Sequence, residues 1–278
     1  MLPTPDTSHV PYTRVYEPAE DSFLLLDTLS SPSETAFLTS RFSSPSHLPN
    51  ASASPSLKEE TKPYSPLILE IGPGSGVIIA FLTAHATTIF GTSRGSGLLS
   101  LAVDVNRYAC VATAMTAGKA VKDVSSSSSL ATSPGTAVSS GFFLDAVQGD
   151  LVSPLRLGQV DVLVFNPPYV PTEDLPVPVG PGEVMTRFEE DSRLLELSYA
   201  GGKDGMETTD RLIDALPEIL SELGCAYLLL CAQNRPDEVK DRIRRFGPWW
   251  RAETVGRSGK QAGWEKLQIV RIWREGPP

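Results

Sequence analysis

Pro66-Leu-Ile-Leu-Glu-Ile71 is a nearly unbroken apolar run that stops at Gly72-Pro-Gly74-Ser-Gly76, after which Val77 to Ala86 takes up a helical pattern. A strand without polar alternation is buried on both faces, so the chain needs a sheet with helices on each side. The same succession recurs. Leu98 to Val105 reads as a strand before an Ala-rich helix from Arg107 to Lys122, and Phe142 to Gln148 and Val160 to Phe165 read as two more strands. A helical pattern from Glu207 to Leu223, kinked at Pro217, precedes a strand at Ala226 to Ala232 and a helix at Pro236 to Phe246. Trp249 to Val255 and Lys266 to Trp273 read as a closing antiparallel pair. This alternation predicts an open, mostly parallel α/β sheet, whose ligands sit outside the carboxyl ends of the strands.

Composition identifies what interrupts the pattern. Of 278 residues, 22 are Gly and 24 are Pro, an excess over ordinary usage. Residues 30–63 are rich in Ser and Pro, and residues 123–140 include the serine run from Ser125 to Ser129. Neither segment offers enough apolar surface to offset its ordering entropy, so both are expected to be mobile insertions. The stretch 170–190, with Pro171, Pro176, Pro178 and Pro181, reads as a substrate-side loop. A formal net charge of −9 repels phosphate backbones and argues against direct nucleic-acid binding. No apolar run reaches the roughly 18 residues that span a bilayer, so no membrane partner is expected. Met1 to Asp6 shows neither a basic region nor an apolar one, and no secretory signal is expected. Cys110, Cys225 and Cys231 are scattered, and His9, His47 and His85 stand alone, so no disulfide framework or metal site is expected. The expected location is the cytoplasm, with the nucleus a further compartment.

Three acids close three successive strands. Glu70 lies at the tip of the first, beside Gly72 and Gly74, where the chain turns tightly enough for a ligand to approach the backbone. Neither a dinucleotide glycine spacing nor a Lys-Ser/Thr phosphate loop is present, and a carboxylate at this tip suits a cationic ligand better than a diphosphate. Asp104 follows the second strand, where a carboxylate commonly accepts from a ribose diol. Asp150, before Leu151 in Gln148-Gly-Asp-Leu151, is placed to accept from an adenine amino group. Any one of them alone reads as a solvated strand end or a helix cap. Together they describe a pocket for a positively charged nucleoside, S-adenosylmethionine.

Val164-Phe-Asn166-Pro167-Pro168-Tyr169-Val170 follows the fourth strand. A planar NH₂ group is a weak nucleophile because its lone pair is delocalised. The Asn166 side-chain carbonyl and the next backbone carbonyl offer two acceptors that can grip both N–H bonds and favour a pyramidal nitrogen. Pro167 and Pro168 stiffen that array, so little reorganisation is needed during reaction. Tyr169 is suited to pack on the flat face of the acceptor. An ordinary proline-rich turn is the plain reading of such a tetrapeptide in isolation. Its position downstream of three strand-end acids favours the catalytic one.

The glycine loop, Asp104, Gly149-Asp-Leu151 and Asn166-Pro-Pro-Tyr169 together resemble class I S-adenosylmethionine-dependent methyltransferases acting on amino nitrogen. Val15-Tyr-Glu-Pro-Ala-Glu-Asp-Ser-Phe-Leu-Leu-Leu-Asp27 resembles the N-terminal signature of eukaryotic HemK-like release-factor glutamine methyltransferases. On its residues alone it is a turn at Pro18 and an acidic helix start at Glu20 and Asp21. Ala200-Gly-Gly-Lys-Asp-Gly205 and Gln261-Ala-Gly263 also resemble the family, and the likeness covers residues 9–29, 66–122, 142–171 and 198–273.

The resemblance implies a Rossmann-like, seven-stranded, mostly parallel sheet with an antiparallel C-terminal hairpin. It implies one methyltransferase domain over 1–278, with residues 9–29 as a lid over substrate and cofactor. Tyr16, Ser22, Glu70, Gly72, Gly74, Asp104, Asp150, Leu151 and Asn166 would contact the cofactor, and Asn166 to Tyr169 the acceptor amide. The acceptor would be the glutamine of the Gly-Gly-Gln motif of the class 1 translation termination factor, alone or with its GTPase partner. The enzyme would work as a heterodimer with a small zinc-binding activator protein. Phe142 and Phe143 begin the strand expected at the sheet edge, so residues 142–147 are expected to meet that activator by strand addition. Packing of both rings beneath neighbouring helices is the alternative. Two other acceptors share the fold, a nucleobase amino group and another protein side chain such as lysine. Arg242, Arg244 and Arg245 form one small basic cluster, which reads as a solvated helix face. A silent binding subunit would have lost the tetrapeptide or the acids, and both are here.

Overall fold

The computed structural model describes residues 2–42, 65–91, 97–129, 139–177, 185–259 and 266–276. Among these, seven strands form one sheet: β1 (Leu67–Ile71), β2 (Leu99–Asp104), β3 (Phe142–Gln148), β4 (Val160–Phe165), β5 (Leu220–Leu230), β6 (Trp250–Arg257) and β7 (Gln268–Arg274). Their spatial order is β3-β2-β1-β4-β5-β7-β6. Strands β1 to β5 run parallel, and β7 is antiparallel to both β5 and β6. The helices are α1 (Glu20–Leu29), α2 (Pro32–Phe42), α3 (Val77–Ala84), α4 (Ala86–Phe90), α5 (Arg107–Ser129), α6 (Arg187–Tyr199), α7 (Glu207–Ile219) and α8 (Pro236–Arg244). None is long and apolar enough to cross a membrane among the described residues.

The continuous apolar strands do what their composition requires. Successive side chains point to opposite faces, so Ile68 joins a cluster with Leu25, Leu38, Ile79 and Tyr227, while Leu69 joins Leu163, Leu212, Leu216 and Ile243 on the other face. Every residue of β4 is buried. The sheet is therefore covered on both sides, and its carboxyl ends remain open for a ligand.

Four sequence expectations are corrected. The Ser/Pro-rich segment is a helix over Pro32–Phe42, because Leu38 and Phe42 enter the core, each worth about 1.5–3 kcal/mol on burial. Buried Glu34 in that helix accepts from Arg271 at 2.9 Å and from the Tyr227 hydroxyl at 2.8 Å. The serine run continues α5 to Ser129. The expected loop holds over residues 171–177, but its last four residues, 187–190, enter α6, whose Thr186 and Glu189 form a reciprocal capping box. Helix α7 stops at Ile219 instead of Leu223, because Leu220 pairs with Val160. Arg274 donates to the Leu220 and Ser221 carbonyls at 2.9 Å, and Arg41 to that of Leu223. Those carbonyls are thereby satisfied outside a helix. The remaining expectations at 43–63 and 130–138, and at His47, Pro178, Pro181 and Gln261-Ala-Gly263, lie outside the described residues.

Candidate active site

A cavity of about 590 Å³ opens at the carboxyl ends of β1, β2 and β4. Its cofactor-side lining holds Tyr16, Ser22, Glu70, Gly72, Gly74, Asp104, Asp150 and Leu151, and its acceptor-side lining Asn166, Pro167, Pro168 and Tyr169. Each described residue read from the sequence as contacting cofactor or acceptor lines this one space.

On the first side, the backbone makes room and two acids are locked in place. Gly76 has φ of +77°, and a Cβ there would sit 2.6 Å from the Thr113 Cα, so α3 and α5 approach only because it is glycine. Asp104 accepts from the Asn106 amide at 2.8 Å and from the Gly74 amide at 3.2 Å. Glu70 accepts from the Ile79 amide at 2.8 Å, which satisfies a first-turn donor of α3. Burial raises the Asp104 carboxyl to about 6, against the pull of those two amides. Burial likewise holds Glu70 well above the usual carboxylate range. Two buried carboxylates at one cavity wall favour a cation beside them. Asp150 is more exposed, and its carboxylate pairs with Arg211, which also lines the cavity. Leu151 has φ of +49°, the strained left-handed conformation that tends to mark working sites.

On the second side, one carboxylate gathers four donors. Asp21, read from the sequence only as a first-turn acid, is buried. Its Oδ2 accepts from the Asn166 Nδ2 at 3.0 Å and the Tyr16 hydroxyl at 3.1 Å. Its Oδ1 accepts from the Ser22 amide at 2.6 Å and the Ser22 hydroxyl at 3.2 Å. A carboxylate demands donors, so the Asn166 amide is oriented with its NH₂ toward Asp21. The Asn166 Oδ1 is left buried with no hydrogen-bond partner among the described residues. Leaving such an acceptor unpaired costs about 1–3 kcal/mol, and a ligand N–H would recover it. Leu175, Pro176 and Val177, with Leu194, Leu197 and Tyr199 of α6, complete the apolar wall.

Sequence reasoning missed Asp21 as a partner of Asn166, although it sits inside the thirteen-residue string from Val15 to Asp27. It also missed α6, although the Thr186-x-x-Glu189 capping signal is readable. His85 bonds the Pro3 carbonyl at 2.9 Å, and His9 lies against Lys119 at 2.9 Å. Neither lines the cavity. Among the described residues no three His, Cys, Asp or Glu side chains form a group able to hold a metal ion.

No family model matches the chain. It is 30% identical to the eRF1 methyltransferase catalytic subunit mtq2 of Schizosaccharomyces pombe, over 99% of this chain and 97% of that protein. It is 32% identical to Methyltransferase HEMK2 of Mus musculus, over 98% of this chain and 96% of the relative. In three dimensions it is similar to the solved E. cuniculi Mtq2-Trm112 complex responsible for methylation of the eRF1 translation termination factor. That match has a TM-score of 0.51 and 22% identity, and covers 94% of this chain and 99% of the other. The strand order, the glycine turn and the near full-length likeness agree, and the chain belongs to the family of the mtq2 and HEMK2 methyltransferases.

Proposed function

We propose that this chain methylates the side-chain amide nitrogen of the glutamine in the Gly-Gly-Gln motif of the class 1 translation termination factor, with S-adenosylmethionine as donor. The observation that carries the reading is the Asn166 Oδ1: buried, oriented by Asp21 and unpaired. A primary amide offers two N–H donors, and Asn166 Oδ1 with the Pro167 carbonyl supplies two acceptors. Holding both N–H bonds favours a pyramidal nitrogen whose lone pair, out of conjugation with the carbonyl, can attack. The N–C bond would form as the S–C bond of the donor breaks, and one N–H proton would be released. Pro167 and Pro168 keep the acceptor array rigid, and Tyr169 packs on the amide face. Because these groups are already in place, the gain comes from positioning and needs no covalent intermediate on the chain.

The donor set fits S-adenosylmethionine on its chemistry. When bound, that cofactor supplies a methyl group made electrophilic by a sulfonium. Glu70 and Asp104 are the buried carboxyl groups that a bound cation would favour in their ionised form, offsetting its charge, and Asp104 the acceptor for ribose hydroxyls. Gly72 and Gly74 would let it lie against the backbone. Asp150 and Leu151 would line its adenine end, and Tyr16 and Ser22 would enclose it through their bonds to Asp21. The mtq2 relative's name supports the eRF1 substrate.

The activator protein belongs to the same reading. Strand β3 lies at the sheet edge with only β2 beside it. Phe142 is 63% and Leu144 54% exposed, while Phe143 packs inward against the core. An exposed apolar edge needs a cover. The small zinc-binding activator would add there along residues 142–147, and the solved Mtq2-Trm112 complex supports a heterodimer.

The test is transfer of labelled methyl by the chain co-purified with that activator. The acceptors are the termination factor, its variant with the Gly-Gly-Gln glutamine replaced, and total RNA and DNA. Label on the intact factor alone is expected. Label on nucleic acid alone, or equally on the variant, would overturn the acceptor assignment.

A further inference from the structure

Ala200-Gly-Gly-Lys-Asp-Gly205 stands out in the sequence, yet nothing in the reaction so far uses it. In the structure it is the back wall of the acceptor loop. Val170 bridges to Ala200, the Val170 amide donates to the Tyr199 carbonyl at 3.0 Å, and the Gly201 amide donates to the Val170 carbonyl at 2.8 Å. The packing leaves no space. A Cβ on Gly201 would lie 2.4 Å from the Pro168 carbonyl oxygen, and one on Gly205 would lie 2.0 Å from that of Tyr169.

One buried side chain ties this wall to the loop. Asn234, 2% exposed, donates from Nδ2 to the carbonyls of Tyr169 at 3.1 Å, Asp204 at 3.0 Å and Gly205 at 3.3 Å. Its Oδ1 accepts from the Cys231 amide at 2.8 Å. Asp204 (φ +57°) and Arg235 (φ +51°) are two of the three non-glycine residues described with positive φ, and they flank this knot. Such conformations cost about 1–3 kcal/mol each and persist only where surrounding contacts over-determine them. Asn234 does not line the cavity.

We infer that Asn234 is a positioning residue for methyl transfer. It pins the Tyr169 carbonyl to the Gly201–Gly205 turn and so fixes the height and tilt of Asn166 to Tyr169 against the acceptor. The inference rests on the proposed acceptor amide, but its mechanism is independent of which protein carries that amide. An aspartate at 234 keeps the acceptor for Cys231 and replaces the NH₂ by an oxygen facing three carbonyls.

The experiment measures steady-state transfer and S-adenosylmethionine affinity for the wild-type heterodimer, Asn234→Asp, Asn234→Ser and Gly205→Ala, with thermal unfolding of each. A misplaced clamp lowers kcat by about tenfold to a hundredfold and leaves cofactor affinity within about threefold. Asn234→Ser, which keeps one donor, should recover part of the loss, and Gly205→Ala should reproduce it, because its Cβ would meet both the Tyr169 carbonyl oxygen and the Asn234 Nδ2. Folded Asn234 variants with unchanged kcat would overturn the inference. So would a loss that follows the unfolding temperature and cofactor affinity instead of kcat. If Asn234→Asp does not fold, Asn234→Ser and Gly205→Ala decide by the same criteria. A wild-type enzyme that labels no glutamine acceptor breaks the proposed function instead, which separates the two failures.

Discussion

Asp104 and Asn166 both close strands of one sheet and line one cavity, yet they are held in opposite ways. Asp104 is fixed by backbone amides of its own neighbourhood, Gly74 across one parallel pairing and Asn106 two positions on. Asn166 is fixed by the side chain of Asp21, 145 positions away, and its loop by Asn234, 65 positions from Tyr169. The wall around Asp104, proposed to hold the cofactor, is thus a property of the strand tips themselves. The proposed acceptor clamp joins three distant segments, which should make it the part most sensitive to single side chains.

Substitutions can break this contrast, and the sharpest is Asn166→Ala. It should lower methyl transfer about a hundredfold or more, in the range seen when one preorganised polar group is removed from an active site. S-adenosylmethionine affinity, read by calorimetry, should stay within a few-fold. Asp104→Ala should reverse the pattern, weakening cofactor affinity by about tenfold to a hundredfold through lost charged hydrogen bonds. A smaller effect is expected at the sheet edge. Phe142→Glu should reduce co-purification of the activator while leaving the thermal midpoint of the isolated chain nearly unchanged, since that ring is exposed.

The smallest effect concerns protons. Burial raises Asp104 from 3.8 to about 6. Between those values the folded chain keeps a proton that the unfolded chain has lost. Stability from this group therefore falls as pH rises from about 4 to about 6, and the penalty is in full force above that window. A cation bound beside Asp104 would lower its pKa, so cofactor uptake near pH 6 should release protons. Calorimetry in buffers of differing ionisation enthalpy should detect the release, and Asp104→Asn should reduce it, leaving the share carried by Glu70.

The same contrast explains which features are legible in the amino-acid sequence. The sheet is legible because β1 and β4 are apolar but for Glu70 and Asp161, and the strand-end acids because each closes or follows a strand, Glu70 beside the Gly72-Pro-Gly74 turn. Helix α2 is not, since its Ser/Pro-rich surroundings hide the two core residues Leu38 and Phe42 and the buried Glu34–Arg271 pair. The end of α7 is not, because Arg274 and Arg41, remote in sequence, claim the carbonyls of Leu220 to Leu223. In the site, Asn166 is visible as a motif, but its orientation is not, because the donor–acceptor match that sets it involves α1. Asp150 shows the reverse limit: its place at the cavity follows from its strand end, while its pairing with Arg211 of α7 does not.

The proposed function has Asp21 act on the reaction through its hydrogen bond to Asn166, and a double-mutant cycle tests this most directly. Transfer to the termination factor would be measured for Asp21→Ala, Asn166→Ala and the double variant of the heterodimer. Asp21→Ala should cost about tenfold to a hundredfold alone, and the double variant should be no slower than Asn166→Ala, because the group Asp21 orients is already gone. Losses that multiply in the double variant would contradict this coupling and show that Asp21 serves catalysis by a separate route.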